Sequence, residues 1–156
     1  MKTLAEAFSH TLKDVYYAEQ RLTKALPEAA KATRHAGLKK ALSDHEAETR
    51  EHVALLKKVF KSIGEKASGE KCDAMDGLIK ECEGVVEEAS ASALNAALIG
   101  CCQAIEHYEI ARYGTLKEWA KVLGHTEAHD LLGQILDQEK AANHKLTNLA
   151  ITSVNG

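Results

Sequence analysis

A chain of 156 residues can bury a core of its own without disulfide or metal staples, and 45% hydrophobic with 28% charged residues is an ordinary globular balance. A net charge of −3 offers no positive field for phosphates, which argues against nucleic acid or an anionic membrane surface as partner. No 18-residue apolar run spans a bilayer and residues 1–10 lack the apolar segment of a signal peptide, so the expected location is cytoplasmic, with no membrane partner.

Five helical segments are predicted in chain order. The first runs from about Thr3 to His35, with Pro27 expected to kink it and Gly37 read as its stop. The second covers about Leu38–Ile63 and ends at Gly64. A polar loop, residues 65–71, leads to a short helix over Met75–Glu88. The fourth covers about Ser92–Leu123, Gly124 breaks the chain, and the fifth covers about Thr126–Ser153. The first and second helices, and the fourth and fifth, are joined by only a few residues, which implies antiparallel hairpins. Between the second and fourth lie about 28 residues, from Gly64 to Ala91, enough to return along the molecule and make those two helices parallel. Two hairpins joined by one long crossover are the connectivity of a ferritin-like four-helix bundle, so residues 1–156 are expected to form one all-α domain of that kind, its crossover carrying the short fifth helix.

Core positions in such helices recur at spacings of three and four. The stripes read Phe8, Leu12, Val15, Glu19, Leu22, Leu26; then Leu38, Ala41, His45, Glu48, His52, Leu55, Val59. The fourth helix gives Ile99, Cys102, Glu106, Glu109, Tyr113, Leu116, Ala120, Leu123, and the fifth Ala128, Leu132, Ile135, Glu139, Ala142, Leu146, Leu149. Each stripe is apolar or small except near its middle, where it is acidic. Side-by-side packing would gather Glu19, Glu48, Glu106, Glu109 and Glu139 in one layer. Carboxylates crowded in a low-dielectric core stay ionised only if something positive joins them. Two divalent cations would balance most of that charge, and an oxygen-rich set with imidazole suits iron or manganese. The plain alternative is a hydrogen-bonded polar layer that fixes helix register.

The histidines do not follow the Glu-x-x-His spacing of the usual di-iron bundle. His45 and His52 flank Glu48, and each either coordinates a metal or hydrogen-bonds a ligand carboxylate from behind. Asn143 follows Glu139 at the next turn. His10, His35, His125 and His129 read as surface or helix-end residues, and His107 points away from the stripe. Tyr16 and Tyr113, one turn from Glu19 and Glu109, read as core phenols with their hydroxyls on carboxylates. Trp119, off the main stripe, is expected to face the short helix or a partner subunit. Cys72, Cys82, Cys101 and Cys102 form no C-x-x-C pair and read as small core residues.

Several stretches carry a family resemblance: Asp14-Val-Tyr-Tyr-Ala-Glu19-Gln, His45-Glu-Ala-Glu48-Thr49, residues 72–79, Glu106-His-Tyr-Glu-Ile-Ala-Arg-Tyr-Gly-Thr-Leu116, and Glu139-Lys-Ala-Ala-Asn-His-Lys-Leu146. In these the chain resembles the YciF-like family of bacterial ferritin-like proteins, catalogued as a domain of unknown function and associated with stress response. The resemblance implies a ferritin-like bundle, a homodimer and a di-metal centre, with Glu106 and Glu109 as two of its ligands by similarity to the rubrerythrin-like branch. Two positions depart from the family's common pattern. His52 stands where glutamine is usual and offers a nitrogen donor; Asn143 stands where aspartate is usual and removes a charge. Two functions follow as expectations: a di-iron or manganese protein that reduces peroxide or oxygen, or a non-enzymatic stress protein whose metal or acid cluster stabilises the fold. Mineral storage would require a hollow shell, which nothing in the chain predicts.

Overall fold

Thr3 begins the first helix by accepting a hydrogen bond from Glu6 N on its hydroxyl at 3.1 Å. The computed structural model describes residues 1–155 and contains α1 (Leu4–Ala32), α2 (Ala36–Ser62), α3 (Asp73–Glu88), α4 (Leu94–Val122) and α5 (Thr126–Leu149). A π-helical turn, Ala150–Val154, prolongs α5, and only helices occur among the described residues. None of them is long and apolar enough to cross a membrane.

Two glycines end helices as the sequence suggests. Gly64 and Gly124 have φ of 75° and 76°, the left-handed region. At each, the glycine N–H reaches back to Lys61 O or Lys121 O, and the next N–H to Phe60 O or Ala120 O, so the helix end closes on itself. Gly37 does something else: it lies in the first turn of α2, not after α1. Helix α1 runs through Pro27 and stops at Ala32, where Thr33 turns extended. Thr33 Oγ1 accepts from His35 N at 3.1 Å and donates to Asn95 at 2.7 Å, and His35 Nδ1 then accepts from Leu38 N at 3.2 Å to start α2. The break is made by side-chain capping and one contact from α4.

Cross-chain contacts fix the directions of the helices. The end of α1 meets the start of α4 through Thr33 and Asn95, and the start of α2 meets the end of α5 where Gly37 lies under Leu149. Phe8 and His125, near the starts of α1 and α5, have ring centroids 5.9 Å apart. Helices α1 and α5 therefore run one way and α2 and α4 the other. The short α3 packs on α1 and α4. Asp76 accepts hydrogen bonds from Tyr17 Oη and Arg21 Nε at 2.9 Å each, and Cys72 Sγ lies 3.0 Å from Tyr108 Oη.

The buried side chains fall into two apolar clusters. One, toward the start of α1, includes Phe8, Leu12, Phe60, Tyr113, Leu116 and Leu132. Trp119 packs against this cluster from its edge, so it faces the core and not the short helix. The other, toward the end of α1, includes Leu22, Leu26, Leu38, Met75, Leu98 and Leu146. Between them, at mid-helix, the core is polar.

Candidate metal centre

Four of the five predicted acids are buried in that layer: Glu19, Glu106, Glu109 and Glu139. Helix periodicity places them. Glu19 continues the Leu12–Val15 stripe of α1, Glu106 and Glu109 continue Cys102 of α4, and Glu139 follows Ile135 on α5. His45 and His52 are also buried there. Glu48 is not; its side chain is 28% exposed at the edge of the layer, because α2 turns His45, Thr49, His52 and Leu56 inward. The inward face of α2 is thus one residue out of phase with Ala41, Glu48 and Leu55.

Two sets of ligand-type atoms converge. His45, Glu106, Glu109 and Glu139 form one and Glu19, His52 and Glu139 the other, each with one atom per residue within 4.8 Å of the rest. Glu139 belongs to both. Its Oε2 lies 3.8 Å from His45 Nε2 and its Oε1 3.0 Å from His52 Nδ1, so its two oxygens face different sets. His45 Nε2 is 3.1 Å from Glu106 Oε1, and His52 Nδ1 is 3.2 Å from Glu19 Oε1. These pairs are close, yet both ring nitrogens of His45 and Nδ1 of His52 lack a hydrogen bond of proper direction. Both oxygens of Glu109, both of Glu139 and one each of Glu19 and Glu106 are likewise buried without a protein hydrogen-bond partner. Such groups are normally satisfied. Atoms this close, aimed past one another, are arranged around common points.

The surroundings hold these side chains in place. His52 Nε2 sits 2.9 Å from Gln138 Oε1; a proton donated there leaves Nδ1 free to face Glu19 and Glu139. Tyr113 donates its hydroxyl proton to Glu19 Oε1 across the layer, a partner on another helix and not the Glu109 one turn away on its own. Tyr16 instead packs edge-on against Phe60, with ring centroids 5.6 Å apart. Asn143, the next turn beyond Glu139, accepts from Gln103 Nε2 at 3.1 Å and lies outside both sets. His107 Nδ1 is 2.8 Å from Gln103 O, which turns that ring away from the layer.

Electrostatics follow from burial. Desolvation pushes the Glu106 and Glu109 carboxyls well above the usual carboxylate range, and the negative charge of Glu139 adds to it. Burial raises Glu19 as well, although His52 and Tyr113 oppose the shift. Burial acts the same way on Glu139, but His52 and His45 outweigh it and hold its carboxyl below the usual range. His52 is disfavoured as a cation by burial, yet its contacts with Glu139 and Glu19 raise it to about 10. The layer therefore gathers more negative charge than its histidines balance, and protons make up the difference. A divalent cation would serve in place of those protons. The donor set and the unpartnered buried oxygens fit one.

A narrow pocket of about 10 Å³, room for one water-sized particle, leads toward the layer between α2 and α5. His45, Glu48, Glu106 and Lys145 are on its walls, and Lys145 Nζ lies 3.5 Å from Glu48 Oε1. The pairing of Glu48 with His45, and then with Lys145, lowers its carboxyl pKa against the opposing effect of partial burial. A third group, His10, Asp14 and Glu70, lies at the surface, where Lys13 Nζ already sits 3.2 Å from Glu70. Thr49, Gln138 and Lys145 are the members of this neighbourhood that stripe reading passes over. The 45, 49, 52, 56 spacing on α2 would have flagged Thr49; Gln138 and Lys145 act from the flanks of α5, where periodicity carries no signal.

The family described as Domain of unknown function (DUF892) matches residues 3–156. Protein YciF of Escherichia coli (strain K12) is 43% identical over 157 residues, covering 99% of this chain and 95% of that protein. The crystal structure of the E. coli stress protein YciF superposes with a TM-score of 0.95 over 99% of both chains. YcfI from Rhodopseudomonas palustris superposes with a TM-score of 0.90 at 46% identity over 94% of each. A Xanthomonas campestris protein, 21% identical, shares the fold with a TM-score of 0.78 over 98% of this chain and 95% of its own.

Proposed function

The chain belongs to the DUF892 family, and from that premise we propose that it is a single ferritin-like four-helix bundle, residues 1–156, built around two divalent metal ions, iron or manganese. The observation that carries this reading is Glu139, shared by two buried ligand sets with one oxygen turned to each. Glu106, Glu109 and His45 would hold one ion, Glu19 and His52 the other, and Glu139 would bridge them. Glu48, at the pocket between α2 and α5, supplies an outer carboxylate that reaches His45. Likeness to the E. coli stress protein YciF supports a role in bacterial stress response. The protein acts in the cytoplasm as a homodimer, which sedimentation tests.

The chemistry proposed is reduction of peroxide or oxygen: bound ions would supply redox capacity, since one hydrogen peroxide takes two electrons and two protons to give two waters, with an external reductant returning those electrons for the next turnover. The chain's own part is arrangement. Gln138 sets the His52 ring, Tyr113 fixes one oxygen of Glu19, and the apolar clusters on either side keep bulk water out. Glu106 and Glu109 hold protons before loading and release them as the cation arrives.

A second reading has its own observation: His52 Nδ1 lies 3.2 Å from Glu19 and 3.0 Å from Glu139, and these contacts favour a protonated ring, which would supply one positive charge without any metal. On that reading the layer only holds the helices together. Metal analysis after reconstitution with Mn(II) or Fe(II), on the wild type and on Glu106→Ala and Glu139→Ala, tests the site; two equivalents in the wild type and fewer in the variants are expected. Wild type that retains no metal would overturn it. Peroxide consumption by the Fe(II)-loaded protein separates the two readings, and tight binding without turnover favours the structural one.

A further inference from the structure

The acid layer is closed over most of its surface: Glu19, Glu109, His52 and Glu139 are wholly buried. Along the narrow pocket between α2 and α5 the burial is graded instead. Lys145, Glu48, His45 and Glu106 line it, and their side chains are 55%, 28%, 7% and 2% exposed in that order. They are also consecutive neighbours. Lys145 Nζ lies 3.5 Å from Glu48 Oε1, Glu48 Oε2 lies 3.7 Å from His45 Nδ1, and His45 Nε2 lies 3.1 Å from Glu106 Oε1. Ala41 and Ala142 flank the passage with side chains too short to fill it. Both ring nitrogens of His45 are buried without a hydrogen-bond partner, so the group behind Glu48 is free to accept a ligand.

We propose that Glu48 is the entry carboxylate of the layer, where a divalent cation is caught, displaces Lys145 and passes inward by way of His45. This role rests on the two-ion layer proposed above. A cation that leaves water for a low-dielectric interior must replace its lost hydration at once. A carboxylate still open to solvent replaces part of it while the ion keeps some of its water. Glu48 suits that duty because it belongs to neither buried ligand set, so what it captures can move on. Lys145 opposes the approach by its charge, yet an exposed ion pair is weak and a lysine stem is flexible, so a divalent ion on oxygen can replace it.

Stopped-flow mixing of metal-free protein with Co(II), read by its visible absorption, tests this, with the bound metal counted at the end. Glu48→Gln should slow loading about tenfold or more and leave the final Co(II) content at the wild-type level. Lys145→Met should load faster than wild type, most clearly at low salt. Glu51→Gln removes the same charge from an exposed position on α2 away from the pocket and should load at the wild-type rate. Wild-type protein that takes up no Co(II) would overturn the two-ion layer and this entry together. Normal uptake at equal rates in wild type and Glu48→Gln would overturn the entry alone. So would a lower final content in Glu48→Gln, which would make Glu48 a resident ligand, equal slowing in Glu51→Gln, or slower loading in Lys145→Met.

Discussion

Replacing Glu109 with leucine sets the cost of an unpaired buried carboxyl against its use as a ligand. Glu109 is fully buried and neither oxygen has a protein hydrogen-bond partner. An unsatisfied buried polar group costs ~1–3 kcal/mol. Burial first, then the charges of Glu139, Glu19 and Glu106, hold this carboxyl well above its ordinary pKa of 4.5. Because the folded state binds the proton more tightly, its stabilising effect is complete below pH 4.5 and is lost as pH rises toward the folded pKa. The loss grows with pH above 4.5, so it is larger at pH 7 than at pH 5. Leucine, near in size, removes the desolvated group. At ~2–4 °C per kcal/mol for a domain of this length, the ~1–3 kcal/mol of an unsatisfied carboxyl means that metal-free Glu109→Leu should melt about 2–12 °C above wild type at pH 7, and by clearly less at pH 5. With Mn(II) at one hundred times its dissociation constant, wild type should gain ~2.7 kcal/mol per site, and the variant much less. Differential scanning calorimetry of stripped and loaded protein at both pH values reads all of this. A metal-free variant that melts below wild type at pH 7 would refute the reasoning.

Tyr113→Phe removes the donor to Glu19 in a fully buried position and should cost ~1–3 kcal/mol, seen as a lower urea midpoint with an unchanged slope. His52 is raised on folding to about 10, so its contribution is complete below pH 6.5 and is lost as pH climbs to about 10. Melting of the metal-free protein across that window should show a decline that His52→Gln flattens; an unchanged slope would remove His52 as its source. Gly124→Ala, at φ 76°, should destabilise by ~1 kcal/mol in chemical denaturation, even though a Cβ there meets nothing within 4 Å.

The helices and the acid layer were legible in the sequence because both are periodic. Gly64 and Gly124 announced helix ends because closing a helix through a left-handed residue favours glycine. The end of α1 was misassigned to Gly37 because the real stop is Thr33, held by Asn95 some 62 residues away, a contact no local pattern displays. On α2 the stripe finds His45 and His52 but misses the inner face by one position at Ala41, Glu48 and Leu55, where Leu42, Thr49 and Leu56 are buried instead: alanine and leucine occur on both of its flanks, and the polar inner residues His45, Thr49 and His52 give no apolar contrast. The sharing of Glu139 between two ligand sets, and the choice of Glu19 over Glu109 by Tyr113, depend on how neighbouring helices rotate against each other. That rotation is set by packing and not by any one helix's pattern.

The polar layer also partitions the interior. On either side of it lies an apolar cluster fed by all four long helices, and the clusters share no buried member. Across the boundary the halves are joined by continuous backbone and by whatever fills the carboxylate plane. The metal pair proposed above would act as a rivet between two half-molecules, and its presence would govern how cooperatively they unfold. Native-state hydrogen exchange would then register two separate protection levels in the stripped protein, merging into one when the rivet is set.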